Sequence, residues 1–182
     1  MLVYHTGHHE LPEPDIRIGR KNADFGQGFY LSASDEFAGK WVREQKEQAA
    51  FVNRYELALD GLSVRRLERN EDWFDYIFRN RAGYADRYAE DDVIIGPIAN
   101  DTIYDTLGLL TSGLLDDALA LRLLRLGPSF EQIVIKTDKA RSQLRFLSSR
   151  RLSTAELREM REALLQEEEA YQRMLGEAFD RI

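Results

Sequence analysis

Cysteine is absent from the 182 residues of this sequence. The absence excludes disulfide bonds, thiolate nucleophiles and zinc sites with cysteine ligands, because each of these needs a sulfur atom that only cysteine supplies. A chain without cysteine is compatible with a reducing compartment. We therefore expect a cytoplasmic location, with export by a specialised secretion system as the alternative.

Membrane-crossing segments and an excess of positive charge are also lacking. No apolar run approaches the roughly 20 residues that cross a bilayer, and the N-terminus has no basic-then-apolar signal pattern. Lys and Arg together number 25 against 32 Asp and Glu, so the formal net charge is −7. An acidic chain does not attract nucleic acid through its overall charge. We expect no membrane association, and nucleic-acid binding only through a local basic patch.

The length of the chain suits one domain with an appended element. Hydrophobic residues make up 43% of it, which suffices for an ordinary core, and no repeat or low-complexity segment divides it. The pattern changes at Ser153, which together with Glu156 fits the capping box that begins a helix. The sequence thus predicts a domain over residues 1–150 and an amphipathic C-terminal helix over residues 151–182.

The C-terminal helix needs a surface to cover, because an isolated helix is marginal and gains most of its stability by packing an apolar face. Glu167 and Glu168 divide its apolar stripe into two patches. We expect the first patch to pack on the same domain. We expect the second to contact a partner, either a second copy of the chain or a neutralising protein. The stripe consists of Leu157, Met160, Leu164, Tyr171, Leu175, Phe179 and Ile182.

Apolar runs elsewhere predict strands, and apolar residues at helical spacing behind a capping residue predict helices. Asn70, for example, precedes an aromatic stripe at helical spacing, which we interpret as core. The predicted strands cover residues 2–4, 29–31, 51–59, 63–67, 93–95, 130–136 and 144–147. The predicted helices cover residues 34–50, a segment that follows Asn70, 101–110 and 114–126, with a short turn or helical turn at 138–142.

Residues 24–32, Asp-Phe-Gly-Gln-Gly-Phe-Tyr-Leu-Ser, are the most informative stretch. Gly26 and Gly28 can adopt positive φ angles and let a ligand approach the backbone closely. Tyr30 follows in a predicted strand, so the stretch predicts a backbone cradle beside an aromatic ring, suited to a flat ligand. The alternative is a glycine turn that leads into a core strand. A kinase metal site and a dinucleotide fingerprint are excluded, because their accompanying motifs are missing.

Three further motifs in order along the chain carry a resemblance. Residues 4–7 read Tyr-His-Thr-Gly, residues 95–101 read Ile-Gly-Pro-Ile-Ala-Asn-Asp, and residues 132–137 read Gln-Ile-Val-Ile-Lys-Thr. Together with residues 24–31, they resemble the ADP-ribosyltransferase superfamily. The similarity is to its His-Tyr-Glu branch, which includes the poly(ADP-ribose) polymerases, and more closely to a family of small bacterial proteins with a domain of unknown function, DUF3990.

The resemblance implies an α+β domain with the split, mainly antiparallel sheet of the ADP-ribosyltransferases and peripheral helices, to which the long C-terminal helix is an addition. NAD, as co-substrate, would lie in the cleft between the halves of the sheet. His5 would bind a ribose hydroxyl, Tyr30 would stack on the nicotinamide ring, and an arginine would meet the pyrophosphate. The implied NAD-binding residues are His5, Thr6, Gly7, Arg17 or Arg20, Gly26, Gly28, Phe29 and Tyr30.

The resemblance implies three catalytic positions. The first two are His5 and Tyr30, and the third is either Glu131 or Gln132. Alignment with the polymerase branch selects Glu131, whereas alignment with the small bacterial family selects Gln132. Neighbours on a strand point to opposite faces, so only one of them can face the site. A carboxylate could act as a base, whereas an amide could only orient a group.

The function implied by the resemblance is NAD-dependent mono-ADP-ribosyl transfer to a macromolecular acceptor, by a toxin or effector of a bacterium or phage. Two alternatives on the same site are an NAD glycohydrolase and a non-catalytic module that binds NAD or ADP-ribose. Cleavage of the nicotinamide–ribose bond passes through an oxocarbenium-like state and needs no metal.

A metal-dependent hydrolase is a third interpretation. His5, His8 and His9 lie within five residues, near Glu10, Glu13 and Asp15, and imidazole and carboxylate groups bind zinc or nickel. No second histidine cluster accompanies them, and the loop lacks a helical spacing that would converge the rings. We therefore predict no metal site.

Overall fold

The structure is a computed structural model that describes residues 1–35, 38, 49–99 and 117–180. The strands within these ranges are β1 (Leu2–Gly7), β2 (Phe29–Ser32), β3 (Phe51–Leu57), β4 (Val64–Arg66), β5 (Val93–Pro97), β6 (Glu131–Ile135) and β7 (Leu144–Arg151). The helices are α1 (Glu71–Arg81), α2 (Asp117–Leu124), α3 (Asp138–Ser142) and α4 (Thr154–Phe179).

The seven strands form one sheet in the order β4-β5-β6-β2-β1-β3-β7. All neighbouring strands are antiparallel except β4 and β5, which are parallel. A single register pair, Tyr4 with Ser32, joins β1 to β2 at the middle of the sheet. The α+β class and the mainly antiparallel sheet are therefore confirmed, and the sheet has two halves joined by this one pair.

One side of the sheet, here called the loop face, carries a core that includes Val3, Phe29 and Tyr55. The loop after β1 covers it. The Tyr55 hydroxyl donates to the Leu11 carbonyl at 2.7 Å, and the Asn53 side chain accepts from Leu11 N at 3.0 Å. These bonds satisfy polar groups that burial would otherwise leave unpaired, and they hold the loop on the sheet.

The opposite side, here called the helix face, packs against α1. Trp73, Tyr76 and Ile77 are buried against Ile94 and Val134. The predicted cap is confirmed, because the Asn70 side chain accepts from Trp73 N at 3.0 Å. Strand alternation places odd-numbered residues of β2 on the loop face and even-numbered ones, including Tyr30, on the helix face.

Helix α4 begins with the predicted capping box between Ser153 and Glu156. Its first turns pack Leu157 and Met160 against a small cluster on β3 and β7. Its second half, which we expected to contact a partner, packs instead on α2 of the same chain. There Tyr171 and Leu175 are 1% and 5% exposed beside Leu123.

The partner contact expected at the second patch stays a prediction. Phe179 remains 36% exposed, and Ile182 lies outside the described residues.

Most predicted elements lie where the patterns placed them, and the differences are mainly at their ends. Strands β1 and β7 continue beyond residues 4 and 147, and of the two alternatives at 138–142 the helical one is confirmed, as helix α3. The predicted helix over 101–110, most of that over 34–50 and the start of that over 114–126 fall outside the described residues. Among the helices described, none has the length and hydropathy of a membrane span.

Candidate functional site

A cavity of about 240 Å³, here called the central cavity, lies on the helix face where β1, β2 and β6 meet. Its wall includes Tyr4, Thr6, Tyr30, Ser32 and Gln132. It lies between the region that α1 covers and the region that the first turns of α4 cover. As far as the described residues show, the junction of the two sheet halves is therefore a place where the sheet surface is open to a ligand.

The register of three strands places the wall residues on one face. Tyr4 is opposite Ser32, and Ser32 is opposite Gln132. Directly opposed residues share a face, and so do residues two apart on one strand. Thr6 and Tyr30 therefore join the same surface.

Gln132, and not Glu131, faces the central cavity. Gln132 is 5% exposed and belongs to the cavity wall. Glu131 is exposed at the first position of β6, opposite Pro97, and does not line the cavity. The choice that the sequence left open is thus decided by register, and the cavity has an amide at this position.

Two polar atoms on the wall lack hydrogen-bond partners among the described residues. They are the Thr6 hydroxyl oxygen and Nε2 of Gln132, on side chains that are more than nine-tenths buried. An unpaired buried donor costs about 1–3 kcal/mol, so such groups in a native fold call for an explanation. A bound group that offers an acceptor to Gln132 would satisfy it.

The Tyr30 hydroxyl is engaged by its own loop, so only its ring is offered to a ligand. The hydroxyl donates to the Gly26 carbonyl at 2.7 Å and accepts from Phe25 N at 3.0 Å. Burial, reinforced by the negative charge of Asp24, raises the pKa of Tyr30 well above its usual value. The phenol therefore stays protonated and acts as a rigid aromatic wall.

The two glycines serve the packing of the chain itself. Gly26 has φ of +72°, and a Cβ there would collide with the Asp86 carboxylate. A Cβ on Gly28 would lie 2.6 Å from both the Ile135 carbonyl oxygen and Cγ1 of Val134. Neither glycine lines the central cavity, and the close approach of a ligand at these positions stays a prediction.

His5 lines the central cavity, but its ring lies against Phe29, with 4.6 Å between the centroids. Its Nδ1 is 2.9 Å from the Tyr30 carbonyl oxygen. A carbonyl only accepts, so Nδ1 carries the hydrogen and Nε2 presents a lone pair near Gly7. Burial lowers the pKa of His5, which keeps the imidazole neutral. Phe29 itself is core on the loop face, and its contact with a ligand stays a prediction.

Only one of the two candidate arginines adjoins the central cavity. Arg20 is part of its wall, together with Ala23 and Asp24. Arg17 pairs with Asp138 at 2.5 Å on the exposed surface, away from that wall. Arg20 is therefore the one placed to meet an anionic part of a ligand.

The family model for proteins of unknown function, DUF3990, matches residues 1–146. The chain belongs to this family. The match confirms the similarity to DUF3990 and ends before α4 begins. None of the curated proteins matches the chain.

A second cavity of about 540 Å³ in this DUF3990 protein lies on the other side of the glycine turn. Lys136, whose side chain is 3% exposed, borders it and pairs with Asp86. Burial lowers the pKa of Lys136 more than its partner raises it. The sequence motif contained Lys136, but nothing local to it signalled a partner fifty residues away.

Two of the three histidines of this family member bind backbone carbonyl groups. Nδ1 of His8 is 3.2 Å from the Ala49 carbonyl oxygen, and His5 contacts the Tyr30 carbonyl as described. Within the described ranges, no group of three His, Asp or Glu side chains could hold a metal ion.

Proposed function

We propose that this chain binds NAD with the nicotinamide group in the central cavity and transfers ADP-ribose to a macromolecular acceptor. The observation that carries the proposal is that one cavity wall contains both the Tyr30 ring and two polar atoms without hydrogen-bond partners among the described residues, on Thr6 and Gln132. Nicotinamide is one aromatic ring with one carboxamide, so it offers a stacking surface and both hydrogen-bond roles.

The size of the central cavity agrees with such a ligand. A dry cavity of about 150 Å³ accepts benzene in another protein. The central cavity, at about 240 Å³, is larger and could take a benzene-sized ring that carries one small polar group. Nε2 of Gln132 would donate to the carboxamide oxygen, and the Thr6 hydroxyl could exchange a hydrogen bond with the carboxamide nitrogen.

The remainder of NAD has partners at the rim. The Arg20 guanidinium would meet the diphosphate, whose oxygens match its fork of donors. His5, which lines the cavity, keeps the ribose-binding role that the resemblance implies. The resemblance to the ADP-ribosyltransferases supports the same arrangement. It also implies their fold, of which the mainly antiparallel sheet and the α+β class are the coarser features.

In the proposed reaction, the bond between nicotinamide and ribose C1′ breaks and its electron pair leaves with nicotinamide. The ribose then carries positive charge in an oxocarbenium-like state. Gln132 would hold the leaving group in place, and the low exposure of the wall would exclude water from it.

Transfer is tested by incubating the protein with NAD labelled in its adenine part and a bacterial lysate, and by measuring nicotinamide release. We expect labelled macromolecules and free nicotinamide with the wild-type protein. Tyr30→Ala and Gln132→Leu should reduce both strongly, whereas Glu131→Gln should act like wild type because that side chain is outside the cavity. Normal labelling by folded Tyr30→Ala would reject the site.

Two alternatives give different results in the same assay. An NAD glycohydrolase would release nicotinamide without labelling. A non-catalytic NAD or ADP-ribose module is favoured by one specific observation, the amide in place of a carboxylate at position 132. Calorimetry would then show NAD binding without nicotinamide release.

A toxin or effector role is a further part of the proposal. Expression of the active protein in bacterial cells should then arrest growth, and Tyr30→Ala at equal abundance should not. Equal growth of both strains would leave the transferase without this role.

A further inference from the structure

We propose that Asp24 provides the carboxylate that assists bond cleavage and transfer at the central cavity. The inference rests on the proposed function. Among the described residues that line this cavity, Asp24 is the only carboxylate, since Glu131 lies outside it. An oxocarbenium-like state is stabilised by a nearby negative charge, and transfer to a hydroxyl releases a proton that needs an acceptor.

Helix α1 holds Asp24 in place from two directions. The Asn80 amide donates to the Asp24 carbonyl at 2.9 Å, and Nε of Arg81 donates to its carboxylate at 2.8 Å. The residue is 8% exposed. A buried carboxylate on a loop fixed by a helix has the rigid position that electrostatic stabilisation of a transition state requires.

The charge of this carboxylate acts on the cavity wall. The negative charge of Asp24 raises the pKa of Tyr30, and only burial raises that pKa more. Asp24 and Arg20 both line the central cavity, so the carboxylate and the group proposed to meet the diphosphate border the same space. A ribose between the nicotinamide and the diphosphate would therefore lie close to Asp24.

The C1′–N bond breaks, and the positively charged nicotinamide ring becomes neutral by taking the electron pair. Asp24 stabilises the positive charge left on the ribose. A hydroxyl of the acceptor forms the new C1′–O bond, and its proton passes to the Asp24 carboxylate and then to water.

A structural role, in which Asp24 only neutralises Arg81, makes a different prediction. The test compares nicotinamide release by Asp24→Asn, Arg81→Met and the double variant, with NAD binding measured by calorimetry and folding by circular dichroism. If Asp24 acts on the substrate, Asp24→Asn should bind NAD but lose about 100-fold or more in release. The double variant should be as slow, while Arg81→Met keeps more activity because it keeps the carboxylate.

The outcomes separate the two proposals. If the double variant releases nicotinamide as fast as Arg81→Met, Asp24 has only a structural role, and this holds even where Asp24→Asn alone does not fold. Wild-type release by folded Asp24→Asn overturns the inference and leaves the proposed function standing. A wild-type protein that binds NAD without any release overturns both.

Discussion

The Lys136 ammonium group donates a hydrogen bond to the Phe25 carbonyl oxygen, 2.6 Å away. The next carbonyl along the chain, that of Gly26, accepts from the Tyr30 hydroxyl at 2.7 Å. Tyr76 adds a bond to the Phe25 carbonyl at 3.1 Å, and Asp86 pairs with Lys136. The glycine turn is therefore held by Tyr30 beside the central cavity and by Lys136 beside the second cavity.

Replacing Lys136 with Met should destabilise the protein by about 3–5 kcal/mol, because it leaves the largely buried Asp86 carboxylate without its cation. Arg145→Met is the matched control, since Arg145 and its partner Glu56 are 69% and 49% exposed and a surface pair contributes only about 0–1 kcal/mol. Urea unfolding measures both. Equal unfolding midpoints for the two variants would contradict a stabilising role for the buried pair.

Gly28→Ala should destabilise the fold by at least about 1–3 kcal/mol, because its Cβ meets a strand backbone that cannot move aside easily. Gly176→Ala is the opposite case. This residue lies in α4 with nothing near the Cβ position, so alanine should stabilise by up to about 1 kcal/mol. Thermal denaturation of the pair should give shifts of opposite sign, and a stable Gly28→Ala would show that β6 can yield there.

The stability of the protein should fall as the pH drops below about 6.5, because burial lowers the pKa of His5 in the folded chain from that value. Between the two pKa values the unfolded chain takes up a proton at this ring and the folded chain does not. Below the folded pKa both are protonated and this contribution stops changing. Urea unfolding from pH 7.5 to 5 measures the slope, which His5→Gln should reduce. An unchanged slope would assign the effect to other groups.

Leu175→Ala should cost about 2–5 kcal/mol without changing the mass of the protein in solution, because Leu175 packs on Leu123 of the same chain. Leu165→Ala is the control, since that residue of the same helix is 50% exposed. Chemical denaturation and light scattering check the two parts. A change of mass with little loss of stability would instead support an interface at the second half of α4.

The sequence by itself determined the local features of this protein. Asn70 and Ser153 cap their helices because a side-chain oxygen meets backbone donors within three residues, and such contacts depend only on neighbouring positions. Apolar runs identified the strands for the same reason, since alternation is a local property. The ordered motifs also sufficed to identify the family, which the match over residues 1–146 bears out.

Only the tertiary structure decided which side chains face the cavity and what the glycines are for. The choice between Glu131 and Gln132 depends on register, and a shift of one residue would exchange their faces. The position of Phe29 in the core follows from the same alternation. Register is set by the packing of the whole sheet against its two cores, so a short pattern does not contain it.

The contacts that fix the site join residues far apart in the chain. Asp24 meets Arg81 across 57 positions, and Lys136 meets Phe25 across 111. In the sequence, Asp24, Arg81 and Lys136 are ordinary charged residues of the kind found on surfaces. Burial in the fold gives each of them a specific partner. Burial is a property of the assembled fold. Local sequence patterns therefore identified the glycine turn and Tyr30 but not the groups that hold them.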